Sequence, residues 1–315
     1  MLKKGLCFSL AVLLVVGLVA VNQSFAAGKD KKLVIFSQCN FGEPYRAAQN
    51  KWMQELWAKE PNVELQIFDG QADAAKQISQ IENAIRQEPD LLIVAPLQRD
   101  SLTKVMGEAI KAGIPTICLE RDLVEPNWTT YIRCDNRKIG QQAGQFTVDY
   151  LTKKNGSPKG NIVEIQGMKG VEGALNRHAG FWDVVAKYPD IKVVHDATAN
   201  WFQPEAIDRM TEALNAVPEI DVVYGHNDPM AYGAYLAAKE KGREKEMIFI
   251  GIDGLADEGQ KYVKEGIFAV TFIYPLCVDK AVEIGKKILA DAKFKPEATY
   301  LMESSIVTPE TLKGK

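Results

Sequence analysis

Short apolar, β-branched runs alternate with helical stretches along most of the chain. The runs predict strands at residues 33–37, 63–68, 91–96, 115–119 and 130–133, and then at 162–166, 192–196, 221–225, 247–252 and 268–273. The segments between them, roughly 12–18 residues long, carry apolar residues at helical spacing, as at residues 45–59, 76–86, 102–112 and 140–152. Apolar strands that are each followed by a helix are typical of parallel strands buried on both faces. The pattern therefore predicts an α/β fold with right-handed βαβ crossovers.

The number of strands predicts two sheets. About ten strands are more than one doubly wound sheet usually holds, whereas two sheets of about five or six strands are ordinary. A boundary near residues 134–136 is favoured, because a strand ends there and a helix begins. Since no Gly/Ser-rich or Pro-rich linker marks that boundary, we expect the chain to pass between two lobes through short hinge segments.

The N-terminus has the pattern of a secretory signal peptide. Lys3 and Lys4 precede an almost wholly apolar run at residues 5–20, and the small residues Ser24 and Ala26 suit a cleavage site after Ala26. The apolar run is short for a membrane span. Cys7 lies inside the run, so a lipid-anchored N-terminal cysteine is not expected. We predict a cleaved signal peptide at residues 1–26 and a periplasmic location.

Composition and charge exclude several classes of protein. A formal net charge of −3 argues against a nucleic-acid-binding protein, and 46% hydrophobic residues argue against disorder. Three histidines leave little room for a His-rich metal site, and we predict no metal and no cofactor. The four cysteines after residue 26 show no CxxC spacing. Free thiols are expected, although export permits disulfides and four cysteines allow three pairings.

Polar and aromatic residues follow the predicted strands, where open α/β sheets bind ligands. Planar hydrogen-bonding groups and flat aromatic faces suit the hydroxyls and the C–H faces of a sugar ring. The same residue types also cap helices and form turns, as expected for Asp100 and for one residue just before Pro229. We predict that the ligand-binding residues are Gln38, Asn40, Tyr45, Arg46, Glu120, Arg121, Asp135, Arg177, Trp201, Asn227, Asp253 and Tyr274.

Catalytic motifs are missing from the sequence. There is no GxSxG, HExxH or P-loop, and no GxGxxG follows the first strand. The segment Gly167-Met168-Lys169-Gly170 lacks the GKS or GKT ending of a phosphate loop, so a flexible turn is the better interpretation. Acidic residues at the strand ends could form an acid–base pair as in glycosidases. Their spread over many strand ends favours encirclement of a ligand, and we predict that the protein is not an enzyme.

Taken together, these segments resemble the ribose/galactose-type periplasmic sugar-binding proteins of ABC transporters from Lys32 to about Thr308. The stretches that carry the resemblance are Phe36-Ser37-Gln38 with Tyr45-Arg46, Asp69-Gly70-Gln71, Ala95-Pro96, Gly113-Ile114-Pro115 leading to Glu120-Arg121, Cys134-Asp135-Asn136, Glu164-Ile165-Gln166-Gly167, Asn176-Arg177, His226-Asn227-Asp228 and Gly251-Ile252-Asp253-Gly254. The first and the His226 stretches are most similar to the galactofuranose-binding branch.

The resemblance implies a type I periplasmic binding protein, with two Rossmann-like lobes joined by a three-segment hinge and a sugar in the cleft. The implied N-terminal lobe comprises residues 27–134 plus 272–296, and the C-terminal lobe residues 135–271 plus 297–315. It also implies polar ligand contacts from Arg121, Arg177, Asn227 and Asp253, with ring stacking by Tyr45 and Trp201. Glu120 stands where the family often has Asp, and Cys134 where it usually has a small residue. The sugar or polyol, its ring form and its charge therefore stay open.

The implied function is delivery of a sugar or polyol to a membrane permease of an ABC transporter, with a monomer expected. A ligand-loaded sensor that docks on a chemoreceptor or a sensor kinase is the alternative, and a carbohydrate-active enzyme is a weaker one. Regulators of the lactose-repressor type share the fold but carry an N-terminal helix-turn-helix. Here the first strand begins at Leu33, directly after the predicted signal peptide, so no nucleic-acid partner is expected.

Overall fold

The structure is a computed structural model that describes residues 31–313 of the 315-residue chain. The predicted signal peptide, with Cys7 and the cleavage site at Ala26, lies outside the described residues. Within residues 31–313, no helix is both long enough and apolar enough to cross a membrane.

Strands and helices alternate along the described chain. The elements of the first part are β1 (Lys32–Gln38), α1 (Pro44–Trp57), β2 (Val63–Asp69), α2 (Ala74–Arg86), β3 (Leu91–Val94), α3 (Arg99–Lys111), β4 (Thr116–Leu119) and β5 (Thr130–Cys134). The second part contains α4 (Asn136–Asn155), β6 (Gly160–Gln166), α5 (Glu172–Val185), β7 (Ile191–Thr198), α6 (Gln203–Ala216), β8 (Val222–Gly225), α7 (Asp228–Glu240), β9 (Ile248–Asp253), α8 (Gly259–Lys264) and β10 (Val270–Ile273). The chain ends with α9 (Val278–Ala290), β11 (Thr299–Met302), β12 (Ser305–Val307) and α10 (Pro309–Lys313).

The strands form two six-stranded sheets, one in each lobe. The order is β11-β5-β4-β3-β1-β2 in the first sheet and β12-β10-β9-β8-β6-β7 in the second. Pairing is parallel throughout the first sheet, and in the second sheet only β12 runs antiparallel, against β10. The predicted α/β fold with two mostly parallel sheets is confirmed.

Burial explains which strands could be predicted. All four residues of β3 are buried, and so are all four of β4 and of β8, as expected for central strands covered by helices on both faces. The ten predicted strands all form, with ends that differ by a few residues. The edge strands β11 and β12 were not predicted, because they have only four and three residues and most of these are partly or fully exposed.

Between residues 31 and 313 the chain crosses between the two sheets three times. The first crossover joins β5 to α4 at residues 134–136, the second comprises residues 274–277 between β10 and α9, and the third joins β11 to β12 at residues 303–304. Helix α9 packs on the first lobe, where Gly285 lies against Leu91 and Trp57. Three short crossovers side by side are the geometry of a hinge.

Strand pairing differs from the predicted lobe boundaries in two places. The predicted boundary at residue 272 falls inside β10, and the whole of β10 pairs in the second sheet. Residues 299–302 were assigned to the C-terminal lobe, but β11 pairs with β5 in the first sheet. Since β11 is short and half exposed, nothing in the sequence signals that the chain stays in the first lobe after α9 until its last crossover.

Helices α4 and α5 touch through their backbones. A side chain at Gly140 would overlap the carbonyl group of Arg177, and a side chain at Gly180 would overlap the carbonyl group of Arg137. Glycine at both positions allows this close approach. The contact therefore determines where α5 carries Arg177.

We expect Gly180→Ala to lower the free energy of unfolding by about 1–3 kcal/mol, because the added methyl group forces the two helices apart. Urea denaturation measures the change. The matched control is Gly173→Ala on the same helix, where the nearest atom to the new methyl group is Asn136 Nδ2 at 3.7 Å. This control should be as stable as the unmodified protein or slightly more so, because alanine favours the helix. Equal stability of both variants would contradict the prediction.

Candidate functional site

A cavity lies where the carboxyl ends of strands from both sheets meet. The space between its lining atoms, including the part open to solvent, is about 310 Å³. Every lining residue is buried. The lining consists of Glu43, Tyr45, Arg46, Glu120, Arg121, Val171, Gly173, Arg177, Trp201, Asn227, Asp253 and Tyr274.

Two arginines and two glutamates form the wall contributed by the first lobe. Arg46 Nη2 donates to Glu120 Oε2 at 2.7 Å, and Arg121 Nε lies 3.7 Å from the same oxygen. Arg121 Nη2 is 3.7 Å from Glu43 Oε1, and Arg46 Nε is 3.9 Å from Glu43 Oε2. The charges alternate and balance, and the longer contacts leave guanidinium N–H groups free to bind a ligand.

Glu120 is ionised by its neighbours. Burial by itself would raise the pKa of this carboxyl group, but Arg46 and Arg121 lower its pKa below the ordinary value. The carboxylate therefore accepts hydrogen bonds and does not serve as a proton donor near neutral pH.

Arg177 is the central cation of the wall contributed by the second lobe. Its Nε donates to Asn136 Oδ1 at 2.9 Å, and its Nη1 donates to the backbone oxygen of His226. The guanidinium also lies over two aromatic rings, 4.5 Å from the centroid of Tyr274 and 5.5 Å from that of Trp201. These contacts hold its planar face in one orientation inside the cavity.

Asp253 ends β9 beside Arg177. Burial raises the pKa of its carboxyl group well above the usual range, and Arg177 offsets that effect only partly. Among the described residues, no hydrogen bond contributes to holding this carboxylate ionised. A buried carboxylate with few partners is costly unless a bound molecule donates hydrogen bonds to it. Asp253 is therefore the lining residue best prepared to accept hydrogen bonds from a hydroxylated ligand.

The indole of Trp201 forms a flat apolar wall. The ring lies directly on Gly167, where any side chain would overlap it. Asn227 Nδ2 donates to the Trp201 backbone oxygen at 3.1 Å, and Asn227 Oδ1 accepts from Met230 N at 2.9 Å as the N-cap of α7. Asn227 therefore combines a cap with the positioning of Trp201.

Tyr274 joins both lobes at the second crossover. Its hydroxyl donates to Glu120 Oε1 at 2.9 Å and accepts from Asn136 Nδ2 at 3.1 Å. The ring of Tyr45 lies 5.4 Å from the ring of Tyr274, and the Tyr45 hydroxyl donates to Pro275 O at 2.8 Å. Glu120 belongs to the first lobe and Asn136 to the second. The Tyr274 hydroxyl therefore links the two lobes at the hinge, through a residue that also lines the cavity.

Three lining residues adopt left-handed backbone conformations that favour glycine. The φ angles are 67° for Glu120, 78° for Trp201 and 126° for Asp253. A non-glycine residue in this region is uncommon and costs about 1–3 kcal/mol. Such strain persists only where the surroundings hold it, and it is concentrated at functional sites.

The structure brings nine of the twelve predicted site residues to the cavity. These are Tyr45, Arg46, Glu120, Arg121, Arg177, Trp201, Asn227, Asp253 and Tyr274. Their position agrees with the expectation that residues past strand ends converge, and their role in binding stays a prediction.

Gln38, Asn40 and Asp135 do not line the cavity. The Gln38 side chain is tied to Gln49 and Asn50, and the Asn40 amide donates to Glu43 Oε1 at 2.5 Å. Asp135 is the N-cap of α4, where its carboxylate accepts from Lys138 N at 3.0 Å. All three act on the local structure, and Asn40 positions a lining residue.

The sequence prediction omitted Glu43, Val171 and Gly173, which complete the lining. Glu43 had a usable signal, because it precedes Arg46 by three residues at the start of α1, and this spacing places both on one helix face. Val171 and Gly173 carry no polar side-chain group, so nothing in the sequence marked them as lining residues.

A buried carboxylate lies behind the second-lobe wall. Glu164 Oε1 is 2.9 Å from His226 Nε2 and 3.0 Å from His178 Nδ1, and Glu164 Oε2 accepts from Trp182 Nε1 at 3.2 Å. Glu164, His178 and Asp196 place potential metal-ligand atoms within 4.8 Å of one another, but His178 Nδ1 is already directed at Glu164. Burial would raise the pKa of Glu164, yet its hydrogen bonds to His178 and His226 lower it to about 2.

We expect Glu164 to stabilise the protein in a pH-dependent way. Its pKa falls from 4.5 to about 2 on folding, which is worth roughly 3 kcal/mol at about 1.36 kcal/mol per pKa unit. Because the folded pKa is the lower one, this contribution is complete above about pH 4.5 and is lost as the pH falls toward 2.

Urea denaturation of the unmodified protein and of Glu164→Gln at several pH values measures this contribution. The stability difference between them should be largest near pH 6 and should shrink below about pH 4.5. The exposed carboxylate variant Glu240→Gln is the control and should leave the pH profile unchanged. A pH-independent difference for Glu164→Gln would overturn this prediction.

The periplasmic binding protein domain family matches this chain over residues 34–293. The chain belongs to this family. Its members are periplasmic, and the family consists of solute-binding proteins. The resemblance inferred from the sequence is therefore confirmed.

Two relatives cover most of this chain. The xylitol-binding protein of Mycolicibacterium smegmatis is 37% identical over 276 residues, which cover 86% of this chain and 75% of that protein. The galactofuranose-binding protein of Escherichia coli is 29% identical over 310 residues, which cover 96% of this chain and 95% of that protein.

Solved structures share the two-lobed fold. The fructose-binding periplasmic domain of a hybrid two-component system superposes with a TM-score of 0.84 at 34% identity, covering 90% of this chain and 92% of that one. A protein from Mycobacterium smegmatis in complex with β-D-fucofuranose gives a TM-score of 0.83 at 26% identity, covering 90% and 93%.

Proposed function

We propose that this protein captures a monosaccharide or a related polyol in the cavity between its lobes and delivers it to the permease of an ABC transporter. The observation that carries the proposal is the cavity, in which guanidinium groups, carboxylates and aromatic rings from both lobes converge on one small buried space. Relatives that bind xylitol and galactofuranose support the ligand class.

The charges of the lining favour a neutral ligand. Three arginines and three carboxylates face the cavity, so their formal charges cancel. Hydroxyl groups donate to carboxylates and accept from guanidinium groups, so a polyhydroxylated molecule can satisfy both kinds of partner at once. Trp201 and Tyr45 add flat surfaces for the C–H faces of such a molecule.

The proposed mechanism is domain closure around the ligand. A sugar that contacts Arg121 in the first lobe and Arg177 and Asp253 in the second stabilises the closed form, because both walls are complete only when the lobes meet. Closure presents a joint surface of both lobes to the permease. No step of this mechanism requires a bond to be made or broken in the ligand.

Thermal-shift screening of neutral pentoses, hexoses, polyols and acidic sugars tests the ligand class. A ligand present at about 100 times its Kd stabilises the folded protein by about 2.7 kcal/mol. X-ray scattering of the protein saturated with the best ligand then tests closure. We expect a smaller radius of gyration than for the protein without ligand. Failure of every neutral sugar and polyol, or turnover of the bound ligand, would contradict the proposal.

A sensory role is the second candidate, because one structural neighbour is the periplasmic domain of a two-component system. In that role, the closed lobes would dock on a sensor kinase or a chemoreceptor in place of a permease. A deletion strain separates the two: loss of ligand uptake with an intact sensory response supports transport, and the reverse supports sensing.

Replacement of Trp201 is expected to act through lost stacking area. Trp201→Phe should bind the sugar more tightly than Trp201→Ala, by roughly tenfold if about 1.5 kcal/mol of aromatic contact is retained.

Gly167→Ala should weaken binding as Trp201→Ala does, because the methyl group displaces the indole that lies against Gly167. Calorimetry measures the three affinities, and Gly242→Ala, at an exposed turn outside the cavity, is the control. Equal affinity of the Phe and Ala variants would contradict the stacking role.

A further inference from the structure

Two cysteines meet inside the hinge. Cys134 ends β5 at the first crossover, and Cys277 ends the second crossover just before α9. Their Sγ atoms lie 3.9 Å apart, although the residues are 143 positions apart in the chain. All four cysteines are free thiols in the described structure, and of the six pairs that they allow, this is the one for which the described residues show sulfur–sulfur contact.

We propose that Cys134 and Cys277 form a disulfide that ties the first crossover of the hinge to the second. A disulfide needs about 2.05 Å between the sulfur atoms, so formation of the bond must bring the two sulfur atoms closer than the 3.9 Å at which they lie. Members of this family are periplasmic, and that compartment favours disulfides.

The contacts around Cys134 and Cys277 allow the hydrogen bonds of the two thiols to be replaced by a disulfide. Both thiols now point toward the Pro275 carbonyl, with Cys277 Sγ at 3.4 Å and Cys134 Sγ at 3.9 Å from the oxygen. That oxygen also accepts the Tyr45 hydroxyl, so it keeps a partner after oxidation. Cys277 has a left-handed φ of 63°, and its Sγ lies 3.9 Å from that of Cys134.

The reaction balances by thiol–disulfide exchange. One cysteine thiolate attacks a disulfide of an external oxidant, which releases one thiol and leaves a mixed disulfide. The second thiolate then attacks the cysteine sulfur of the mixed disulfide and releases the second thiol of the oxidant. Together the two cysteines lose two protons and two electrons. The oxidant disulfide takes up these protons and electrons and becomes two thiols.

Accessibility sets the conditions for oxidation. Both side chains are buried, and the hydrogen bond to Cys134 together with burial raises the pKa of the Cys277 thiol well above its ordinary value. Cys277 is therefore seldom a thiolate in the folded protein, and because both side chains are buried, exchange requires opening. We expect the bond to form during folding or while the lobes are open, and to form slowly in the closed protein.

The other two cysteines serve as internal references. Cys118 Sγ donates to Arg121 O at 3.1 Å, and Cys39 Sγ donates to Gln38 Oε1 at 3.5 Å. Both lie in the first lobe, away from the crossovers. They should remain thiols under conditions in which the hinge pair is oxidised.

The test is refolding of the exported protein with oxidised glutathione, followed by thiol counting in denaturant and peptide mapping without reductant. The thiol count should fall from four to two, and one linked peptide should join the segments of Cys134 and Cys277. Cys134→Ser and Cys277→Ser should each give no linked peptide, and Cys39→Ser and Cys118→Ser should give the unchanged one. A count that stays at four, or a link that includes Cys39 or Cys118, would overturn the proposal.

A consequence for ligand exchange rests on the proposed function. A tied hinge restricts the motion that opens the lobes, so the oxidised protein should release sugar several-fold more slowly than the reduced protein. Stopped-flow release measures the rates, with Cys277→Ser as the variant that should not respond to reductant. If no sugar binds but the linked peptide is found, the proposed function fails while the disulfide stands. Equal release rates in a linked, sugar-binding protein would show that the bond does not govern opening.

Discussion

Arg177→Ala is expected to weaken sugar binding by about 30- to 4,000-fold, which corresponds to about 2–5 kcal/mol. The guanidinium is fixed by Asn136, by the His226 carbonyl and by the rings of Tyr274 and Trp201, so its free N–H groups already point in the direction used for binding. Its removal also leaves Asp253 without the nearby cation that favours its ionised form.

Asp253→Ala should have a similar effect for a complementary reason. The carboxylate has no hydrogen-bond donor in the described structure that explains its burial, so its partners in the complex would be ligand hydroxyls. Asp253→Asn keeps the size and one acceptor oxygen, and it should retain part of the affinity. Because burial raises the pKa of Asp253, binding should also weaken as the pH falls and the carboxylate becomes protonated.

Calorimetry on folded variants with the cognate sugar measures these effects. Arg177→Lys is the conservative control and should lie between the unmodified protein and Arg177→Ala, because a lysine keeps the charge but not the planar fork. Lys239→Ala, at an exposed position on α7, should bind normally. If Arg177→Ala and Asp253→Ala fold and bind the sugar with unchanged affinity, these residues only support loops and the site assignment is wrong.

The core of the fold could be predicted because parallel strands buried on both faces must be apolar. Runs such as 91–94 and 222–225 have no other simple interpretation between helical segments, and their strands form as predicted. The resemblance implied a third crossover, but its position could not be predicted from the residues. It depends on β11 and β12, which lie at sheet edges, and an edge strand of three or four residues needs no apolar run.

The candidate site could be predicted in part, because a parallel sheet collects its strand ends on one edge. That rule does not say which of two adjacent residues contacts the lining of the cavity. At the start of α4 it selected Asp135, whose carboxylate caps the helix, whereas the buried neighbour Asn136 contacts Arg177 and Tyr274. The choice between them depends on helix capping and on the approach of α5, which are tertiary features.

Glu120→Ala is expected to lower the free energy of unfolding by about 3–5 kcal/mol in the absence of sugar, because it removes one of the two carboxylates that balance the buried Arg46 and Arg121 and leaves only Glu43. Arg46 would lose its 2.7 Å contact and Arg121 its neighbour at 3.7 Å. Tyr274 would also lose the acceptor of its hydroxyl, so one of the hydrogen bonds between hinge and first lobe would be broken.

The sign of the pH dependence follows from the pKa of Glu120. Arg46 and Arg121 overcome the effect of burial and lower this pKa below 4.5. The stability that the carboxylate contributes is therefore complete above about pH 4.5 and is lost as the pH falls through the folded pKa. The stability difference between the unmodified protein and Glu120→Ala should shrink accordingly in acid.

Urea denaturation of a short series of variants separates charge from packing. Glu120→Gln keeps the shape and one acceptor oxygen, and it should be less damaging than Glu120→Ala. The double variant Arg46→Met, Glu120→Leu removes both charges of the closest pair, and it should regain much of the stability, since apolar residues of similar volume often replace a buried ion pair without loss. The same double variant should still bind sugar poorly, because two polar groups of the cavity wall are gone. If Glu120→Ala is as stable as the unmodified protein, the buried charges are solvated through the cavity, and the ion pairs do not hold the first-lobe wall together.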